Sequence, residues 1–243
     1  SKENPGLQVG LHLTLVQGHA ALPHPGFPTI IDRAGDFTND PVYAGMRYFF
    51  LKSLKTKLCR EIEGQIQKFI GTGIPLSHID GHLNIHMHPV VFDILVGLMP
   101  RYGIRSFRLT SERLMDNLAV DRRRMAGKAV DAFIFSSLAR RCRPQLDRLA
   151  VSYATEVKGL LSSGSMTEAY LLKALDALAC GVTEIYFHPG CLPCSELTKR
   201  MPDYHHEEEL AALTSPRVKE KLTDLGIKLR NYRGEEKRFE ARG

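Results

Sequence analysis

The sequence predicts an α/β protein with mostly parallel strands, on three observations. Short apolar segments bounded by Gly, Pro and Asp alternate with longer stretches of helical period along the whole chain. That alternation is how parallel strands are connected, in a barrel or in a doubly wound sheet. The 243 residues, 43% hydrophobic and 25% charged, can bury a core that needs no staples. No linker and no repeat interrupts the pattern, so a single domain over residues 1–243 is expected.

Residues 7–15 read as a buried strand, and residues 16–40, rich in Gly, Pro, His and Asp, as one long loop. Structureless loops beyond about 12–15 residues are usually functional or disordered. Pro41 then opens a helix with Asp40 as its N-cap. Met46, Phe49, Phe50, Leu54, Leu58, Ile62, Ile66, Phe69 and Ile70 keep helical spacing until Gly71-Thr72-Gly73. A short strand over 74–80 follows, then a helix from Pro89 to about Tyr102 closed by Gly103, then a strand over 104–109. Residues 112–143 read as helix, 149–151 as strand and 167–180 as helix. A strand over 183–188 ends in His-Pro-Gly, and a last helix over 207–225 precedes a last strand over 227–229.

Charge and cysteine usage exclude several classes. The formal net charge is +6, with basic residues in Arg122-Arg123-Arg124, in Arg140-Arg141-Cys142-Arg143 and in the tail from Lys219 to Arg242. No aromatic residues interleave with them and no recognition-helix or zinc-finger pattern appears, so no nucleic-acid partner is expected. These clusters suit solvated helix faces, or contact with phosphate or anionic lipid head groups. Five cysteines at irregular spacing argue against a disulfide framework and for a reducing, cytoplasmic setting. No apolar run approaches the roughly 20 residues of a membrane span. The chain opens Ser1-Lys2-Glu3-Asn4-Pro5, without Met and without a signal-peptide pattern, as if entered inside a loop.

Three of the predicted strands end in histidine. His12 closes the first, His78-Ile79-Asp80-Gly81-His82 the second, and His188-Pro189-Gly190 the late one. In parallel α/β folds the working residues sit where strands end. Residues 78–88 hold His78, Asp80, His82, His86 and His88, and neutral imidazole with carboxylate is the common ligand set of a catalytic divalent metal. His78 and Asp80, two apart, share a strand face, and His82 stands at the strand exit. His86 and His88 precede a helix N-terminus and could equally cap it or bind an anion. For each histidine a hydrogen-bonded structural role competes. His188 suits a general acid, because imidazole exchanges protons near neutral pH. Cys191-Leu192-Pro193-Cys194 has no second pair and reads as small core thiols sooner than a redox pair.

Gly10-Leu11-His12-Leu13-Thr14-Leu15, His78-Ile79-Asp80-Gly81-His82 with His86, and His188-Pro189-Gly190 together resemble the YdjC-like carbohydrate deacetylases. Gly81-His82-Leu83-Asn84-Ile85-His86-Met87-His88-Pro89 resembles the hopanoid-biosynthesis-associated branch in particular. The resemblance implies a (β/α)-barrel-like fold of the polysaccharide-deacetylase type and a divalent metal, magnesium or zinc-like. It puts metal-binding histidines at His12 and His82 and the acid that protonates the leaving amine at His188. Arg108 falls at a family arginine that holds the sugar or an acetate oxygen, and Asp80 and His86 are assigned with it to substrate binding.

The family's first strand ends in an Asp-Asp pair that supplies a metal ligand and a general base, and nothing here matches it. The chain therefore reads as lacking its first βα unit, which would open a sheet edge able to pair with a second copy. The implied reaction is metal-dependent removal of an N-acetyl group from an N-acetylglucosaminyl moiety, on a hopanoid lipid by the branch resemblance. The basic clusters and the loop His19–Pro28 would then meet the inner-membrane surface. Deacetylation of soluble chitooligosaccharides and a non-catalytic sugar- or lipid-binding barrel are the alternatives.

Overall fold

The computed structural model describes residues 4, 6–22 and 30–237. Along the chain run β1 (Val9–Leu13), α1 (Pro41–Phe50), α2 (Lys55–Ile70), β2 (Leu76–Gly81), α3 (Pro89–Leu98), α4 (Leu114–Val120) and α5 (Met125–Arg148). Then come β3 (Glu156–Lys158), α6 (Glu168–Asp176), β4 (Thr183–Ile185), α7 (Ser195–Arg200), α8 (His206–Thr214), α9 (Pro216–Asp224), β5 (Leu229–Arg230) and β6 (Glu236–Lys237). The mixed α/β class is as expected. Among the described residues the sheets are the parallel pairs β1–β2 and β3–β4 and the antiparallel pair β5–β6. The tertiary contacts gather into two compact units.

The first unit comprises Ser1–Arg108, Leu138–Tyr153 and Asn231–Gly234. Parallel β1 and β2 align His12 with Asp80. Residues 106 and 107 continue the sheet by single bridges only, Phe107 with Ile79 and Ser106 with Ser152, so the expected strand over 104–109 shrinks to these points of pairing. The strand expected over 149–151 is corrected to a turn that closes α5, with the Ala150 and Val151 N–H groups returning to the Asp147 and Leu146 carbonyls. Phe107, Ile79, Leu13 and Leu15 on this layer pack with Leu58, Ile62 and Ile66 of α2 and with Phe92 and Leu95 of α3 in the fully buried core. The end of β1 is stapled to α2. Gln65 accepts the Thr14 N–H at 3.1 Å and donates to its carbonyl at 2.7 Å, while Tyr48 of α1 donates to the Leu15 carbonyl at 2.6 Å.

The helix expected over 41–70 is interrupted. Asp40 caps it as predicted, accepting the Val42 and Tyr43 N–H groups at 2.9 Å, but α1 stops at Phe50 and a single 3-10 turn, Lys52–Leu54, leads into α2. The break lets Ala44, Tyr48 and Leu54 face the core while Val42, Tyr43, Met46, Phe49, Phe50 and Leu51 stay exposed.

The second unit comprises Leu109–Ser137, Ala154–Arg230 and Glu235–Gly243. Its core is Leu171 and Leu175 of α6 against Ala212 of α8 and Val218 and Leu222 of α9, with Ile185 of β4 and Phe187 packed on it. The helix expected over 207–225 is two helices: Ser215 caps α9 by accepting the Val218 N–H, and Pro216 starts it. The helix expected over 112–143 likewise divides at residues 121–124, where Asp121 binds Arg123 and Lys128. Strand β3, unforeseen in the sequence, is buried and carries Lys158, whose ammonium meets Glu156 at 3.1 Å.

Candidate functional site

In the first unit, the register that sets His12 beside Asp80 also points both side chains to one side of the sheet. His12 Nδ1–H donates to Asp80 Oδ1 at 2.9 Å, and Arg108 donates to Asp80 Oδ2 at 2.5 Å. Arg108 reaches that oxygen because its backbone runs beside β2, its N–H on the Ile79 carbonyl at 3.0 Å. Behind them His86, fully buried, donates Nε2–H to the Arg108 carbonyl at 2.8 Å. Gly81 permits this, since a Cβ there would stand 3.0 Å from the His86 ring. The His82 ring meets His12 edge-on with centroids 5.9 Å apart, and its Nε2–H donates to Gln17 Oε1 at 3.1 Å. The chain turns sharply after His82 through Leu83 and Asn84 in the left-handed region (φ +49° and +56°), a conformation usually held only where function or packing requires it.

The electrostatics follow from burial and partners. Burial alone would raise the Asp80 carboxyl, but the His12 hydrogen bond and the Arg108 guanidinium hold it well below the usual carboxylate range. Burial pushes the His86 imidazole down to about 4, so it is neutral at pH 7. His78 is likewise pushed down to about 4 by burial, and stacks on Tyr232 at 3.9 Å. His88 donates to the Gly45 carbonyl at 3.1 Å.

His12, Asp80, His82, His86 and Arg108 are therefore gathered by the first unit, while His78 and His88 hold neighbouring segments. Asp80 and His86 are both buried and face protein groups, Asp80 as the shared acceptor of His12 and Arg108. With Nδ1–H donating to Asp80, the other ring nitrogen of His12, Nε2, stands on a side chain 53% exposed. A carboxylate behind an imidazole is the arrangement that orients metal-ligating histidines. His12 Nε2 and the neighbouring His82 ring are the donors that the first unit brings together where a divalent ion could be held. Among the described residues no group of three or more His, Cys, Asp and Glu is placed to complete it.

In the second unit, His188 lies past the end of β4 and is flanked by the rings of Tyr186 and Tyr204, centroids 5.6 and 5.1 Å away. Its backbone is held by Glu209 and His206 of α8. Sequence reasoning missed both, because Glu207-Glu208-Glu209 looks like an ordinary solvated first turn. Cys191 is exposed and Cys194 half-buried, so the expectation of small core thiols there is corrected; all five cysteines are free. Part of the basic surface is neutralised within the chain, Arg123 by Asp121 and Arg141 by Asp93. The loop His19–Pro28 falls partly, over residues 23–28, outside the described residues.

The chain belongs to the YdjC-like protein family, whose model matches residues 1–224. Carbohydrate deacetylase 1 of Listeria innocua is 35% identical over 104 residues, 43% of this chain and 40% of that protein, so the chain matches about two-fifths of the length of such relatives. A carbohydrate deacetylase of Geobacillus stearothermophilus is 24% identical over 237 residues, 96% of this chain and 78% of its own. A solved structure from Enterococcus faecalis V583, provisionally described as a cellobiose-phosphate cleavage protein, matches with a TM-score of 0.67 at 22% identity. It covers 94% of this chain and 78% of that one, a likeness of fold.

Proposed function

We propose that this protein is a metal-dependent carbohydrate N-deacetylase, and that its substrate is an N-acetylglucosaminyl group carried on a hopanoid lipid. The observation that carries the reaction class is the His12–Asp80 pair beside His82, in a chain of a family whose named relatives include carbohydrate deacetylases. His12 and His82 would hold the ion, with magnesium or zinc as the candidates. When bound, a divalent ion supplies Lewis acidity toward the acetyl carbonyl and lowers the pKa of a coordinated water.

This chain's own residues do the rest. Asp80 holds the His12 ring in one tautomer, and Arg108 keeps Asp80 ionised and in place. Arg108 is also the group offered to a sugar or acetate oxygen. His188 gives the proton that the leaving amine requires. Water oxygen joins the acetyl carbon, the C–N bond breaks, and acetate and a free amine result. The wider expectation is a barrel-like fold of the polysaccharide-deacetylase type, as one domain over residues 1–243.

A lipid-linked substrate is supported by α1. Its exposed Val42, Met46, Phe49 and Phe50 are followed by Lys52, Lys55 and Lys57, and no acidic residue occurs from Pro41 to Arg60. An exposed apolar face edged by lysines is the pattern of a segment that lies on an anionic membrane surface. Among the described residues no helix is long and apolar enough to cross a membrane.

The test is acetate release from an N-acetylglucosaminyl lipid and from a free chitooligosaccharide by the full-length protein with added Mg2+ or Zn2+. Faster release from the lipid supports the proposal. Preference for the free oligosaccharide overturns the lipid assignment. Binding without metal-dependent release from either overturns the enzyme.

A further inference from the structure

His188 is held more firmly than a strand end requires. Its N–H donates to Glu209 Oε2 at 2.5 Å, and its carbonyl accepts His206 Nδ1–H at 2.6 Å. Both side chains come from the first turn of α8, one on each side of the residue. The second Glu209 oxygen takes the Met166 N–H at 3.0 Å, and the Gly190 N–H donates to the His206 carbonyl at 3.2 Å. Pro189 follows, which restricts residue 188 to extended backbone and gives the segment no N–H of its own. With both flanking peptide groups anchored, the Cα–Cβ direction of His188 is fixed, and the Tyr186 and Tyr204 rings stand edge-on to its imidazole.

The holding groups are expensive ones. Glu209 is 0% and His206 2% exposed. Burying a carboxylate costs several kcal/mol even when it is hydrogen-bonded, and apolar residues of similar size often pack such a place more stably. His206 adds a second cost. Its Nδ1–H is committed to the His188 carbonyl, and its Nε2 is buried with no hydrogen-bond partner. Neither side chain caps α8, whose N-cap His205 makes no side-chain capping bond. Stability of the helix therefore does not explain them, whereas precise placement of one imidazole does, since an error of about 1 Å at a reacting group can cost about a hundredfold in rate.

We propose that Glu209 and His206 are positioning residues that aim the His188 imidazole for proton transfer to the leaving amine. This rests on the reading of His188 as the acid.

The test compares wild type with His188→Ala, Glu209→Gln, His206→Ala and His206→Asn in the full-length chain, by kcat and KM for acetate release and by the 15N signals of the His188 ring. The expected result is a loss of at least about a hundredfold for His188→Ala. Glu209→Gln and His206→Ala should each lower kcat by about 10–100-fold with KM within twofold, and displace the His188 ring signals. His206→Asn, whose amide N–H can reach the same carbonyl, should recover most of the loss. Full activity in His188→Ala would remove the acid reading and this inference with it. An inactive His188→Ala beside wild-type kcat and unmoved ring signals in Glu209→Gln and His206→Ala would overturn the positioning role alone. Should Glu209→Gln fail to fold, His206→Ala against His206→Asn decides, and no difference between those two also overturns it.

Discussion

His12 and Asp80 are partners twice over, as facing residues of the parallel β1–β2 register and as side chains joined by an Nδ1–H···Oδ1 bond of 2.9 Å. The backbone register thus determines the tautomer of an imidazole. In Asp80→Asn the acceptor becomes an amide that cannot satisfy both His12 and Arg108. Affinity for Mn2+, read by titration calorimetry on the full-length protein, should fall about 10–100-fold. Unchanged affinity would mean that Asp80 does not orient a ligand.

His82→Ala removes one of the two proposed imidazole ligands and should reduce metal-stimulated acetate release by at least about a hundredfold. A rate equal to wild type would show that the ion is held elsewhere.

Arg108 and Asp80 are both largely buried, so removing one leaves the other charge stranded. Arg108→Ala should lower unfolding free energy by about 3–5 kcal/mol, and Arg108→Ala with Asp80→Ala by less than the sum of the two single changes. Urea unfolding measures both. An Arg108 that only contacts substrate would change KM and leave the urea midpoint where it was.

The His86 imidazole is pushed from 6.5 down to about 4 by burial, so the unfolded chain takes up its proton at higher pH than the folded one. Stability from keeping this ring neutral is complete above about pH 6.5 and is lost as pH falls from there through about 4. The urea midpoint of the wild type should therefore drop across that interval, and His86→Gln should flatten the slope. Asp80 acts lower, because its depressed pKa makes its contribution complete above about pH 4 and lost as pH falls further.

Phe49 and Phe50 expose 53% and 64% of their surface on α1. Phe49→Ser with Phe50→Ser should weaken co-sedimentation with phosphatidylglycerol vesicles at least about tenfold, since burying one such ring is worth about 1.5–3 kcal/mol. Release from a soluble chitooligosaccharide should be unaffected. Vesicle binding that persists in the double variant would put the membrane contact on another face.

Much of the first unit was legible locally. Asp40 before Pro41 announced a capped helix, and His12, Asp80 and His82 stood out because strand ends are where α/β folds place reactive groups. Ser215-Pro216 is an N-cap followed by an N1 proline, a local signal of a new helix that the expected single helix over 207–225 runs across. The shrinking of 104–109 to single bridges has no local signal, because a strand is defined by its neighbours and not by its own residues.

What the sequence by itself determined is the inventory: an α/β chain of the YdjC-like family, with its histidines at the ends of apolar segments and its helix starts written in capping residues. These depend on interactions within a few residues of one another. Tertiary structure alone decided what each polar group touches. Glu207, Glu208 and Glu209 are chemically identical neighbours, and only Glu209 meets the His188 backbone and becomes buried. His86 is one histidine among several in the sequence, and only the folded chain sets its ring behind Arg108. Burial and hydrogen-bond partnership are made by segments far apart in the chain, so the same residue type can be a solvated charge or a clamp according to which segment folds against it.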